Sequence, residues 1–102
     1  MDTFENVRVV KKANVYFEGK VTSRTLVFAD GGKKTLGVML PGAYTFNTQA
    51  AEVMEILAGN CEVHLGKNTL HIRAGESFDV PALSTFEITC SEVVDYCCSF
   101  VE

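Results

Sequence analysis

The sequence predicts an all-β domain, with a chain that turns back every few residues into a sandwich or barrel. Three observations lead there. Turn signals recur at short intervals: Asp30-Gly31-Gly32, Pro41-Gly42, Gly59-Asn60, Gly66-Lys67-Asn68 and Ala74-Gly75. The runs between them have ordinary strand length, about five to ten residues. Several of these runs alternate apolar and polar residues, and no stretch keeps the 3.6-residue period of an amphipathic helix.

In chain order, residues 1–13 form an N-terminal extension of mixed polarity with no period, and the domain proper covers residues 14–102. Regular punctuation begins near Val15. Glu52, Met54 and Ile56 share one face of a strand, with Val53, Glu55 and Leu57 on the other. Leu70 and Ile72 oppose His71 and Arg73, and Phe86, Ile88 and Cys90 line up together. Many short strands at regular spacing specify a closed or double-sheet architecture.

Composition narrows the function classes. A chain of 102 residues is one domain with an adequate core, and 47% hydrophobic residues support it. Nine basic against thirteen acidic residues give a net charge of −4. That disfavours a nucleic-acid binder, which needs a clustered basic surface, but leaves room for one phosphate in one pocket. No apolar run approaches the ~20 residues of a membrane span. The N-terminus has scattered charges and no signal-like apolar stretch, so a cytoplasmic protein is expected. The four cysteines, Cys61, Cys90, Cys97 and Cys98, form no Cys-x-x-Cys and read as reduced thiols, several of them small core residues.

Two spacings carry more. Six residues separate Glu52 from Gly59, and five separate Gly75 from Pro81. In this order, among short strands, they resemble the two cupin motifs. The implied fold is a single-domain cupin, a double-stranded β-helix or jelly-roll barrel. Metal-binding cupins place His-x-His before the Glu and a further His five residues after the Pro. Here the first pair falls on Thr45 and Asn47, or on Phe46 and Thr48, and the last on Phe86. The resemblance therefore implies a barrel without the usual metal, and no cofactor. With Glu52 inward, Met54 and Ile56 follow it, Thr45 and Asn47 occupy ligand positions, and Tyr44 and Phe46 face the other way. Such an interior suits a small polar organic molecule.

Other residues have plainer readings. His64 and His71, opposite one another across the Gly66-Lys67-Asn68 turn with Glu62 opposite Arg73, fit a solvent face, because Val63, Leu65, Leu70 and Ile72 form the apolar set. Two imidazoles lack the third ligand a metal needs. Lys33-Lys34 beside a turn reads as a charged hairpin end.

Over most of the chain a more specific resemblance appears. The segments are Asn14-Val15-Tyr16-Phe17-Glu18-Gly19-Lys20-Val21-Thr22-Ser23, Gly37-Val38-Met39 and Gly42-Ala43-Tyr44-Thr45-Phe46-Asn47-Thr48. They continue with Phe78-Asp79-Val80-Pro81, Ser84-Thr85-Phe86 and Tyr96-Cys97-Cys98. In this order they resemble the small bacterial pyrimidine/purine nucleoside phosphorylases. One departure is Ala43, where that family often has Glu. The resemblance implies a broad-specificity enzyme that converts nucleoside and phosphate into free base and ribose 1-phosphate. Its implied partners are nucleosides, inorganic phosphate and a second copy of the chain, the N-terminal extension being placed to add a strand to that copy. It also implies roles. Glu52 would meet ribose hydroxyls or a cationic sugar, and Lys20 would meet phosphate. Thr45, Asn47 and Thr48 would add donors, with Arg73 a further cation. Phe86 or Tyr44 would stack on the base, Tyr44 only if the register moves by one residue. A binding cupin without turnover and a metal-dependent cupin oxygenase are the alternatives; dependence on phosphate separates the first, and bound iron or manganese the second.

Overall fold

Alternating apolar residues build eleven strands among the described residues. They are β1 (Arg8–Val9), β2 (Asn14–Tyr16), β3 (Val21–Val27), β4 (Lys33–Met39), β5 (Gly42–Asn47) and β6 (Ala51–Ala58). After these come β7 (Asn60–Leu65), β8 (Asn68–Arg73), β9 (Ser77–Val80), β10 (Thr85–Cys90) and β11 (Val94–Val101). The structure, a computed structural model, describes residues 2–101; Met1 and Glu102, the outer ends of the two segments expected above, lie outside it. A 3-10 turn, Phe17–Gly19, joins β2 to β3. No helix among the described residues is long and apolar enough to cross a membrane.

The strands form two sheets. The larger runs β1-β3-β4-β11-β6-β9, with β2 also on β3, and the smaller runs β5-β10-β7-β8. Neighbours such as β4 with β11, and β5 with β10, are distant in sequence, because the chain passes repeatedly from one sheet to the other. This is a jelly-roll arrangement of two facing sheets whose edges do not close into a continuous barrel. Gly59 makes one tight crossing between sheets. Its φ is +82°, and a Cβ there would lie 2.5 Å from the Val93 carbonyl oxygen. Within the segment read as an extension, β1 pairs with β3 of its own chain, Arg8 opposite Val27.

Alternation decides what faces inward. In β10, Phe86, Ile88 and Cys90 are buried while Thr85, Glu87 and Thr89 are exposed. Met54 and Ile56 of β6, Val63 of β7, Phe78 and Val80 of β9, and Val94 and Tyr96 of β11 complete the layer between the sheets. Each fully buried aliphatic side chain contributes about 1.5–3 kcal/mol relative to exposure. β11 is covered on both faces: Tyr96 and Cys98 point inward, while Cys97 lies under the N-terminal segment with Leu26, Phe4 and Val9. Phe4 meets Phe28 edge-on at 5.3 Å, and the Lys34 ammonium sits 5.3 Å from the Phe4 ring. Lys34 thus belongs to a cation–π contact that pins the N-terminal segment.

The β7–β8 hairpin corrects one expectation. Glu62 pairs with His71, His64 with Thr69 and Asn60 with Arg73, so the two histidines do not face each other. The turn holds two residues, Gly66 and Lys67, rather than three, and this moves the register. The apolar face is as expected, with Val63 and Ile72 buried and His71 exposed.

Candidate functional site

A cavity of about 160 Å³ opens between the sheets, and its walls differ in character. The larger sheet supplies Thr35 and Met39 from β4, Glu52 and Met54 from β6, and Tyr96, Cys98 and Phe100 from β11. The smaller sheet supplies Phe46, Asn47 and Phe86, and Tyr16 at the end of β2 stands at the side. One wall therefore carries hydroxyl, thiol and carboxyl groups, and the other is aromatic. None of the residues lining the cavity is Lys, Arg or His.

Glu52 is the one charged group in the lining. It is the second residue of β6, opposite Phe100 of β11, which places it on the same face as Met54 and Ile56. Burial raises its pKa above the ordinary 4.5, and a hydrogen bond from Cys98 opposes that rise. Cys98 is pushed up by burial and then by the nearby Glu52 charge, so it stays a protonated thiol beside the carboxylate. Tyr96 is pushed up to about 12, chiefly by burial, so its phenol also stays protonated.

The aromatic wall is a packed cluster. Phe46 and Phe86 stack at 5.5 Å with 24° between their planes, and Phe78 meets Phe86 edge-on at 6.0 Å. Phe17, from the 3-10 turn, packs on Phe46 at 5.4 Å and on Tyr44 at 4.9 Å. That turn carries three successive left-handed residues, Phe17 (φ 52°), Glu18 (φ 59°) and Gly19 (φ 93°). Two of the three are not glycine, so the segment leading away from Tyr16 is held in a conformation that costs of order 1–3 kcal/mol per residue.

The structure brings Glu52, Asn47 and Phe86 together in one cavity. The other expected site residues lie elsewhere. Tyr44 is buried beside the cavity, beneath Phe17, and donates its phenol proton to the Leu40 carbonyl at 2.7 Å. Thr45 is exposed on the outer face of β5, opposite Glu87. Thr48 is buried in a clasp: its hydroxyl donates to the Pro81 carbonyl at 2.7 Å and accepts from the Ser84 amide at 3.0 Å. Lys20 is exposed just past the 3-10 turn, and Arg73 is exposed at the end of the edge strand β8.

The faces of β5 are the reverse of those expected. Tyr44 and Phe46 point inward and Thr45 outward, because β5 pairs with β10 so that Tyr44 meets Ile88 and Phe46 meets Phe86. The apolar face sets the register, and a one-residue slip would have put both rings in water. Asn47 reaches the cavity from the strand end, its side-chain oxygen accepting a hydrogen bond from the Thr85 hydroxyl at 2.7 Å.

Tyr16, Thr35, Tyr96, Cys98 and Phe100 enter the site without having been singled out. The available signal was the alternation Val94-Tyr96-Cys98-Phe100 along the last strand. Nothing local showed that this strand pairs with the one carrying Glu52. No cluster of three or more His, Cys, Asp or Glu residues placed to hold a metal occurs among the described residues.

Known proteins resemble this chain over its whole length. The sequence model of the pyrimidine/purine nucleoside phosphorylase family matches residues 11–100. A pyrimidine/purine nucleoside phosphorylase from Wolinella succinogenes is 61% identical over 103 residues, covering 99% of this chain and 98% of that protein. One from Syntrophotalea carbinolica is 59% identical and covers 100% of both. Among solved structures, a protein of unknown function from Acinetobacter sp. ADP1 superposes with a TM-score of 0.93 at 47% identity, covering 97% of this chain and 98% of the other. A cupin-2 domain from Rhodospirillum rubrum gives a TM-score of 0.71 at 18% identity, over 100% of this chain and 74% of the other. The last likeness carries the fold alone, and that fold is the cupin.

Proposed function

The chain belongs to the pyrimidine/purine nucleoside phosphorylase family, and from that premise we propose that it converts purine and pyrimidine nucleosides plus inorganic phosphate into free base and ribose 1-phosphate. The observation that carries this reading is one half-buried carboxylate, Glu52, facing a stacked aromatic pair across a small cavity.

The chemistry follows from those groups. A phosphate oxygen forms a bond to the anomeric carbon while the bond from that carbon to the base nitrogen breaks. The base leaves with the bonding electron pair and gains the proton that hydrogen phosphate loses. Positive charge grows on the sugar in between, and an ionised Glu52 stabilises it by proximity in a site of low dielectric. Phe46 and Phe86 offer a flat surface to the base. Every base has such a face, and the lining offers only one amide, Asn47, to read base edges. Broad specificity for the base is what such a wall supports.

Phosphate is the harder partner to place. With no cation in the lining and a carboxylate within, the anion is disfavoured deep in the cavity and belongs at its mouth. Lys20, exposed beyond the turn that packs on Phe46, is the cation we assign to meet it there. The homodimer expected from the sequence belongs to the same reading; the exposed Val38, Leu57 and Val101 on the outer face of the larger sheet support it.

The same cation-free lining favours a second reading, a cupin that holds a neutral sugar or nucleoside without turnover. One incubation separates them: uridine, adenosine, guanosine and inosine with and without phosphate, the free bases resolved by chromatography. Release of bases only with phosphate is the expected result. No release from folded protein moves the weight to the binding cupin.

A further inference from the structure

Behind the cavity wall lies a polar cluster that the reaction scheme above does not use. The Asn14 side-chain amide, on β2, donates to the Ser23 hydroxyl at 3.2 Å and to the Thr25 hydroxyl at 3.1 Å. Ser23 is 4% exposed and stands opposite Gly37 in the β3–β4 register, as Tyr96 does in the β4–β11 register, so the Tyr96 phenol lying over Gly37 reaches toward the Ser23 hydroxyl. Since Ser23 accepts from Asn14, its own proton is free to point at the phenol oxygen. Among the described residues no hydrogen bond takes the Tyr96 proton, and the phenol lines the cavity, so that proton is directed at whatever fills it.

The fold makes room for this phenol deliberately. Gly37 lies opposite Tyr96 across β4 and β11. A Cβ at position 37 would sit 2.7 Å from the phenol oxygen and 2.4 Å from the Thr22 carbonyl oxygen. The phenol shares the cavity lining with the Glu52 carboxylate and lies close enough to feel its charge. A fixed donor thus stands near a fixed acceptor on one wall.

From this we infer that Tyr96 is a substrate-contacting donor to a sugar hydroxyl of the nucleoside, and that Asn14, outside the cavity, is the residue that positions it through Ser23. A sugar hydroxyl both donates and accepts, so it fits between Tyr96 and Glu52. A phosphate would face the carboxylate instead, with no cation in the lining to offset it. The inference rests on the proposed phosphorolysis for its substrate but not for its geometry.

Steady-state kinetics with uridine and inorganic phosphate test it, on wild type, Tyr96→Phe, Asn14→Ala and the double variant. Tyr96→Phe is expected to lower kcat/KM for uridine at least tenfold while KM for phosphate stays within twofold. Asn14→Ala lowers the same uridine parameter about threefold, and the double variant is no worse than Tyr96→Phe alone, since both act through one phenol. A wild-type uridine kcat/KM in Tyr96→Phe overturns the inference. So does an effect confined to phosphate KM, or losses that multiply in the double variant. If Asn14→Ala loses its fold by circular dichroism, Ser23→Ala takes its place, because it removes the hydroxyl that stands between Asn14 and the same phenol. If the wild type shows no phosphorolysis, the functional reading fails separately, and uridine binding by titration calorimetry decides this one. There the same ordering of affinities supports it, and equal affinity for wild type and Tyr96→Phe, or no binding at all, overturns it.

Discussion

Glu52 is held in a place that costs the fold stability, as the role proposed for it would require. Burial raises its pKa above 4.5, so the folded protein binds that proton more tightly than the unfolded chain. The resulting stability is fully present below about pH 4.5 and is lost as pH rises through the folded value. At neutral pH the ionised carboxylate therefore weighs against folding. Glu52→Gln is expected to melt at the same temperature as wild type or a few degrees higher at pH 7.5, with the difference vanishing near pH 4, as thermal scans at both pH values would show. Activity moves the other way. If the ionised form stabilises the cationic sugar, the wild-type rate climbs as pH rises through a value above 4.5. Glu52 and Phe86 were legible in the sequence because two motif spacings set their register. Tyr96 and Cys98 were not, because a buried Tyr or Cys in an alternating strand looks like core until its neighbour across the sheet is known.

At the scale of elements, two contacts hold the site's frame, and each predicts a stability change. Gly37→Ala would press a methyl group against the Thr22 carbonyl and the Tyr96 ring, at 2.4 and 2.7 Å. Overpacking of this kind costs about 1–3 kcal/mol, and denaturant titration measures it. Thr48→Val would leave the Ser84 amide without its side-chain acceptor and the Pro81 carbonyl with the Ser84 hydroxyl as its remaining side-chain donor, for a loss of about 1–3 kcal/mol. Because that clasp lies outside the cavity lining, KM for nucleoside is expected to stay near wild type; a large rise in KM would place Thr48 on the substrate after all. Strands and turns were readable in advance because they are local: Gly and Asn mark the bends and alternation marks the faces. The face of β5 and the register of β7 with β8 were not. The first depends on a partner, β10, about forty residues away, and the second on whether a turn holds two residues or three.

Over the whole molecule, the four cysteines report how well the two sheets, and for Cys97 the N-terminal segment over β11, exclude water. All are free and buried. Burial raises the pKa of each, that of Cys61 to about 11, so none is a reactive thiolate at neutral pH. Native protein is expected to react with a thiol reagent over hours, and denatured protein to expose all four within seconds to minutes; rapid native labelling would mean the sheets open readily. The fold class was readable at this scale because period and punctuation are properties of the entire chain. The strand order was not, since the pairs β4–β11, β11–β6 and β6–β9 join segments that no local pattern connects.

Under the proposed function, one cavity, with Glu52 at its polar wall, performs phosphorolysis on both classes of base. Initial rates of uracil release from uridine and hypoxanthine release from inosine, with and without phosphate, test it when wild type and Glu52→Gln are compared side by side. Phosphate-dependent release of both bases by wild type is expected, with a loss on the order of 100-fold in the variant, equal for the two, and the fold intact. Full activity in Glu52→Gln, or a loss confined to one of the two nucleosides, would contradict it.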